Sequence, residues 1–207
     1  MSRLRRLADR LRHRPGAPDA GLTMIDVMVS VALMSIVLAI FTGAVLQMIK
    51  AANRIQTITR SQGQLDIAFT RLDKEIRYAA AISQEGTVGT DPYVEYLTTN
   101  TGSRVCTELR LHSGALQRRT WTQPATGTAV PTAWIPLASG LSSAKPFTFT
   151  DADSTYNFQR LAVDLTSGSS SGSASTSRRT AVTFTALNTS LKTQGKTTEC
   201  TEGRTLP

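Results

Sequence analysis

From Val27 to Ile49 the chain reads VMVSVALMSIVLAIFTGAVLQMI, a run without charge that is apolar on every side of any helix it forms. About 23 residues at ~1.5 Å each reach roughly 34 Å, enough to cross a hydrocarbon core of ~30 Å. Beyond Lys50 the composition changes but the helical period does not. Leu65, Phe69, Leu72, Ile76 and Ala79 recur at alternating spacings of four and three, with Ile58 leading in and Ile82 trailing. Arg60, Gln64, Arg71, Lys74 and Glu75 fall off this stripe, as on an amphipathic helix with one buried face. No proline lies between Pro18 and Pro92. The pattern therefore predicts one near-continuous helix from about Met24 to Ala81, of the order of 85 Å long. A coiled coil is the alternative for the stripe. It lasts only about three heptads and lacks regular flanking charge pairs, which favours packing on a core.

After Ser83 the chain turns to Thr, Ser, Val and Gly in short alternating runs. Tyr93–Leu97, Val105–Leu111, Ala115–Trp121, Phe147–Thr150, Phe158–Leu165 and Thr180–Leu187 read as strands. His112-Ser113-Gly114 between the second and third is a hairpin signal. Six strands after one long helix predict an α+β fold, with an antiparallel sheet resting on the helix's apolar stripe. Between the last two strands, residues 167–177 read SGSSSGSASTS, a flexible loop by composition and a surface hairpin tip by position.

The formal charge is +8, and its placement matters more than its size. Arg3, Arg5, Arg6, Arg10, Arg12 and Arg14 precede the apolar run, whereas Lys50, Arg54 and Arg60 follow it more sparsely. The positive-inside rule then keeps the N-terminus cytoplasmic and exports the residues after about 50. A cleaved secretory signal would have a shorter apolar core followed by a small-x-small site. Ala51-Ala52-Asn53-Arg54 offers none, which favours a retained anchor. The basic pairs Arg118-Arg119 and Arg178-Arg179 read as solvated strand residues rather than a nucleic-acid track, and His112 as an exposed turn residue. Cys106 and Cys200 are both exported on this topology, so a bridge tying the tail to a strand is expected, with two free thiols as the alternative. No phosphate-binding loop, zinc motif or acid/base carboxylate pair appears, so no catalytic residue, metal or cofactor is nominated. The expectation is of a protein that is not an enzyme.

Asp26 does not suit a plain anchor, because a carboxylate beside lipid ordinarily has a partner. A helix-start acid in the headgroup layer is the simple reading. The run from Gly21 through Leu22, Thr23, Met24, Ile25 and Asp26 into Val27–Leu33 nevertheless resembles the type IV prepilin signature: a basic leader ending in glycine, an apolar residue, threonine, two apolar residues, an acid and an apolar helix. The resemblance covers roughly residues 16–50. It implies cleavage between Gly21 and Leu22 by a prepilin peptidase on the cytoplasmic side, and methylation of the Leu22 amine. It also implies pairing of Asp26 with the N-terminal amine of a neighbouring subunit. The sequence departs from the family in having Leu22 where Phe is usual and Asp26 where Glu is usual. Gly43 falls where many major pilins carry a helix-breaking proline, so it marks either an unwinding point or a tolerated packing glycine. Arg71–Ala79 resembles the end of the long helix in J-type pseudopilins and W-type minor pilins.

The expected organisation is a cleaved leader over 1–21, a transmembrane and filament-core helix over 22–49, an amphipathic helix over 50–82 and an exported β-rich domain over 83–207. The resemblance implies a minor pilin or pseudopilin of a pilus or secretion-type filament. Its partners would be other such subunits, the prepilin peptidase, a membrane assembly platform with its ATPase, the lipid bilayer before assembly, and DNA only in a competence pilus. The rival is a single-pass, signal-anchored binding protein that never polymerises.

Overall fold

A computed structural model of the chain describes residues 23–99, 102–168 and 177–206. One long helix, α1 (Met24–Arg77), is followed by ten strands: β1 (Ala79–Ile82), β2 (Gly86–Val88), β3 (Asp91–Thr98), β4 (Val105–His112), β5 (Ala115–Thr122), β6 (Ile135–Ser139), β7 (Leu141–Ser142), β8 (Phe147–Thr150), β9 (Arg160–Ser167) and β10 (Arg178–Thr185). Two short 3-10 turns, Leu191–Thr193 and Thr201–Thr205, lie in the tail. The fold is α+β, as the pattern predicts. Of the described residues, those up to Ala51 form one compact unit and those from Ala52 onward another.

In the second unit the strands form two antiparallel sheets rather than one. The first runs β1-β3-β4-β5-β6 with β2 also on β3; the second runs β10-β9-β7 with β8 also on β9. The stripe of α1 meets both. Leu65, Leu72 and Ile76 are fully buried, and Phe69 stacks edge-on against Phe184 of β10 with ring centroids 5.9 Å apart. Val94 and Tyr96 of β3, Leu109 of β4 and Leu161, Val163 and Leu165 of β9 complete this core. In β9 the buried positions alternate strictly, as a one-faced strand requires.

The helix ends four residues before the sequence pattern does. Ala79 and Ile82 keep their expected burial, but in β1, paired with Thr98 and Tyr96. The reason is local. Ala-Ala-Ala-Ile has no polar residue to give a helical phase, and a short apolar run suits a buried strand equally well. The Arg77 carbonyl accepts the Leu187 N–H at 3.0 Å, which closes the last turn. The hairpin at Ser113-Gly114 forms as expected. Both residues have positive φ, 49° and 74°, the twist a two-residue connection needs.

Candidate anchor and assembly segment

The first half of α1 has no burial to explain its composition. From Met24 to Ile49 the large apolar side chains stand exposed; Ile40 and Met48 show 69% and 74% of their surface. α1 is the one helix, among the described residues, long and apolar enough to cross a membrane. Soluble monomers rarely expose apolar patches beyond a few hundred Å², so such a surface calls for lipid or for other helices. Within it the Ser35 hydroxyl is satisfied along the helix, donating to the Val31 carbonyl at 2.7 Å.

Asp26 sits in the first turn, and Thr23 caps it. The Thr23 backbone N–H and hydroxyl donate to Asp26 Oδ2 at 3.2 and 2.6 Å, and the Asp26 N–H donates back to the Thr23 hydroxyl at 3.3 Å. This is a reciprocal capping box, and the helix dipole favours an anion there. Oδ1 accepts no hydrogen bond among the described residues. Sequence reasoning weighed Asp26 but gave Thr23 no role, although a threonine three residues before an acid at a helix start is a legible cap. Gly21 and Leu22 lie outside the described residues. Gly43 is helical, with open space where a Cβ would stand.

The second half of α1 is fixed by charge as well as by its stripe. Glu75 Oε2 accepts from the Tyr96 hydroxyl at 2.5 Å and from Arg118 at 3.0 Å, while Oε1 accepts from Arg71 at 2.9 Å. Burial pushes the Glu75 carboxyl up, but the Tyr96 and Arg71 hydrogen bonds and the Arg118 charge outweigh it and hold it below its ordinary value. Arg118 is thus a helix-to-sheet clamp and not the solvated residue the basic pair suggests.

On the far side of the first sheet the C-terminal tail closes a second, polar core. Cys106 of β4 and Cys200 are joined by a disulfide, Cα–Cα 5.7 Å. Opposite one another on β3 and β4, Glu95 and Glu108 are both fully buried, and Arg119 extends the same rung on β5. Arg204 reaches in from the tail to Glu95 at 2.7 and 2.6 Å and donates to the Gln84 carbonyl at 2.6 Å. Arg119 holds Glu108 at 2.6 Å and donates to the Gly203 and Leu206 carbonyls at 2.7 and 3.0 Å. Burial pushes both glutamates above their ordinary values, against the hydrogen bonds and charges of Arg204 and Arg119. Gly203 abuts the Trp121 ring; an added Cβ would stand 2.3 Å from its Cη2. Sequence reasoning placed the cysteines but missed this quartet. A glutamate inside Tyr-Val-Glu-Tyr-Leu was its only signal.

The remaining polar candidates are dispersed. His112 Nδ1 lies 2.5 Å from Asp91 Oδ2 at a strand end. Arg179 is exposed and paired with Asp164. Among the described residues no group of histidine, cysteine, aspartate or glutamate is placed to hold a metal ion. Residues 169–176 of the serine-rich loop lie outside the described residues. No family model matches the chain, and no curated protein or solved structure matches it either.

Proposed function

We propose that this chain is a membrane-anchored filament subunit, a minor pilin or pseudopilin of the type IV pilin-like family, with a structural rather than catalytic role. The observation that carries the reading is the change of character along α1: apolar and exposed on all sides to Ile49, then buried along one stripe from Leu65 to Ile76. A helix of this kind suits a protomer that waits in lipid and later exchanges lipid for the helices of its neighbours. Asp26 supports the same reading. Thr23 holds Oδ2 and leaves Oδ1 for a cation. A charge drawn out of water favours the arrangement in which it is matched, so a neighbouring subunit's N-terminal amine would select the register of assembly.

On this reading the chain is cut between Gly21 and Leu22 by a prepilin peptidase, is methylated on Leu22, and is extracted by an assembly platform and its ATPase. Before assembly it is a single-pass protein of the cytoplasmic membrane with its β-rich domain exported. The filament is a surface pilus, a secretion pseudopilus or a competence pilus. The local satisfaction of Asp26 Oδ2 favours one other reading, a single-pass binding protein that never polymerises.

Intact-mass measurement after co-expression with a prepilin peptidase separates the two. The filament reading expects the mass to fall by residues 1–21 and rise by one methyl group, with Gly21→Ala left uncut. An intact, unmethylated wild-type chain would leave the non-polymerising reading standing.

A further inference from the structure

We propose that the crevice at the start of β9 is a binding site for an acidic saccharide, a sugar ring bearing a carboxylate. The inference does not depend on the filament reading.

The crevice has a volume of about 400 Å³ and is lined by Thr155, Tyr156, Asn157, Phe158, Arg160 and Thr185. The Arg160 guanidinium lies 3.6 Å from the centre of the Tyr156 ring. Its Nε is buried and has no hydrogen-bond partner. Among the described residues Arg160 forms no ion pair, whereas Arg179 on the same face of the same sheet is held by Asp164. A half-buried guanidinium without an anion is an unspent recognition element, because guanidinium and carboxylate match in charge and planar geometry.

The walls supply what a sugar ring needs around that carboxylate. Tyr156 and Phe158 leave 50% and 37% of their surface exposed, giving aromatic faces for the C–H groups of a pyranose. Thr155, Asn157 and Thr185 add neutral hydroxyl and amide groups for its hydroxyls. The loop is set in advance: Asp153 Oδ1 accepts the Thr155 and Tyr156 N–H groups at 2.8 and 2.6 Å, and the Asp153 N–H donates to the Tyr156 carbonyl at 2.8 Å. The Asp153 carboxylate is thereby engaged with the backbone, and no acid lines the crevice.

A polynucleotide fits less well. Its affinity comes from a track of cations along successive phosphates. Among the described residues lining the crevice, Arg160 is the one cation. The next on this face, Arg179, pairs in register with Thr166, about 20 Å along β9 from Arg160 at ~3.3 Å per residue.

The test is calorimetric titration of the full chain in zwitterionic detergent micelles with tetragalacturonate, its neutral methyl ester, inorganic phosphate and oligothymidylate. Tetragalacturonate is expected to bind, with the ester about tenfold weaker or more. Arg160→Ala is expected to weaken binding by about tenfold, Arg160→Lys less, and Tyr156→Ala several-fold. Amide exchange of β9 establishes that each variant is folded; should Arg160→Ala unfold, the ester and Tyr156→Ala comparisons still decide. The proposal is overturned by no saturation up to about 10 mM, by ester binding equal to that of the acid, or by wild-type affinity in the folded variants. Phosphate matching tetragalacturonate would reduce the crevice to a simple ion site, and tighter binding of oligothymidylate would assign it to nucleic acid; either outcome also overturns the proposal.

Discussion

The two halves of α1 share a backbone conformation and differ in everything that side chains do. Before Ile49, apolar residues stand exposed at every phase of the helix; after Ser61 the apolar side chains Leu65, Ala68, Phe69, Leu72 and Ile76 share one buried face, and Ile67 is the exception, 74% exposed off that face. Burial in the second half is explained within the chain, by two sheets and the Glu75 clamp. Exposure in the first half has no counterpart among the described residues: nothing there covers it. Apolar content alone therefore says little about a helix; the phase of that content says what surrounds it.

The largest test of this contrast compares two leucines. Leu72 is completely buried and Leu38 is 63% exposed. Leu72→Ala is expected to lower the unfolding free energy of the β-rich domain by about 2–5 kcal/mol in denaturant titrations in micelles. Leu38→Ala should change it by less than about 0.5 kcal/mol. Equal effects would break the distinction between the halves.

Next comes the tail. Converting both Cys106 and Cys200 to Ser removes a crosslink spanning 94 residues and is expected to cost about 2–4 kcal/mol. Hydrogen exchange should then rise in residues 197–206 and around Glu95, because Arg204 no longer has its anchor. The first half of α1 should exchange as before. Protection lost there as well would mean that the two regions are coupled.

The smallest effect comes from glycine. Gly43 and Gly63 are both helical, and beyond the local helix backbone neither has an atom within 4 Å of an added Cβ. Gly63→Ala should stabilise the domain by up to about 1 kcal/mol through helix propensity. Gly43→Ala should leave that unfolding unchanged. If the first half must unwind at Gly43 during assembly, the same variant lowers filament yield, which sedimentation of sheared material would measure.

The architecture was legible to the degree that periodicity carried it. The stripe Leu65, Phe69, Leu72, Ile76 gave the core face of α1, and alternation gave the strands between Asp91 and Thr122. Four strands went unread. β1 hid in an alanine run that fits either period, β2 and β7 are too short to display one, and β6 carries Pro136, which argues against a strand. The polar second core was beyond sequence reasoning for a different reason. Glu95, Glu108, Arg119 and Arg204 are spread over more than a hundred positions, and only strand register and the returning tail bring them together. Single charges in a strand do not announce burial, because their partners are set by topology.

On the proposed filament reading, the exposed half of α1 is covered by other protomers. Fractionation of filaments sheared from cells that express the chain natively tests it most directly. The mature chain is expected to sediment with the filaments, and Asp26→Ala to leave it in the membrane fraction with the β-rich domain still folded. A wild-type chain found only in the membrane, with filaments formed without it, would contradict the claim.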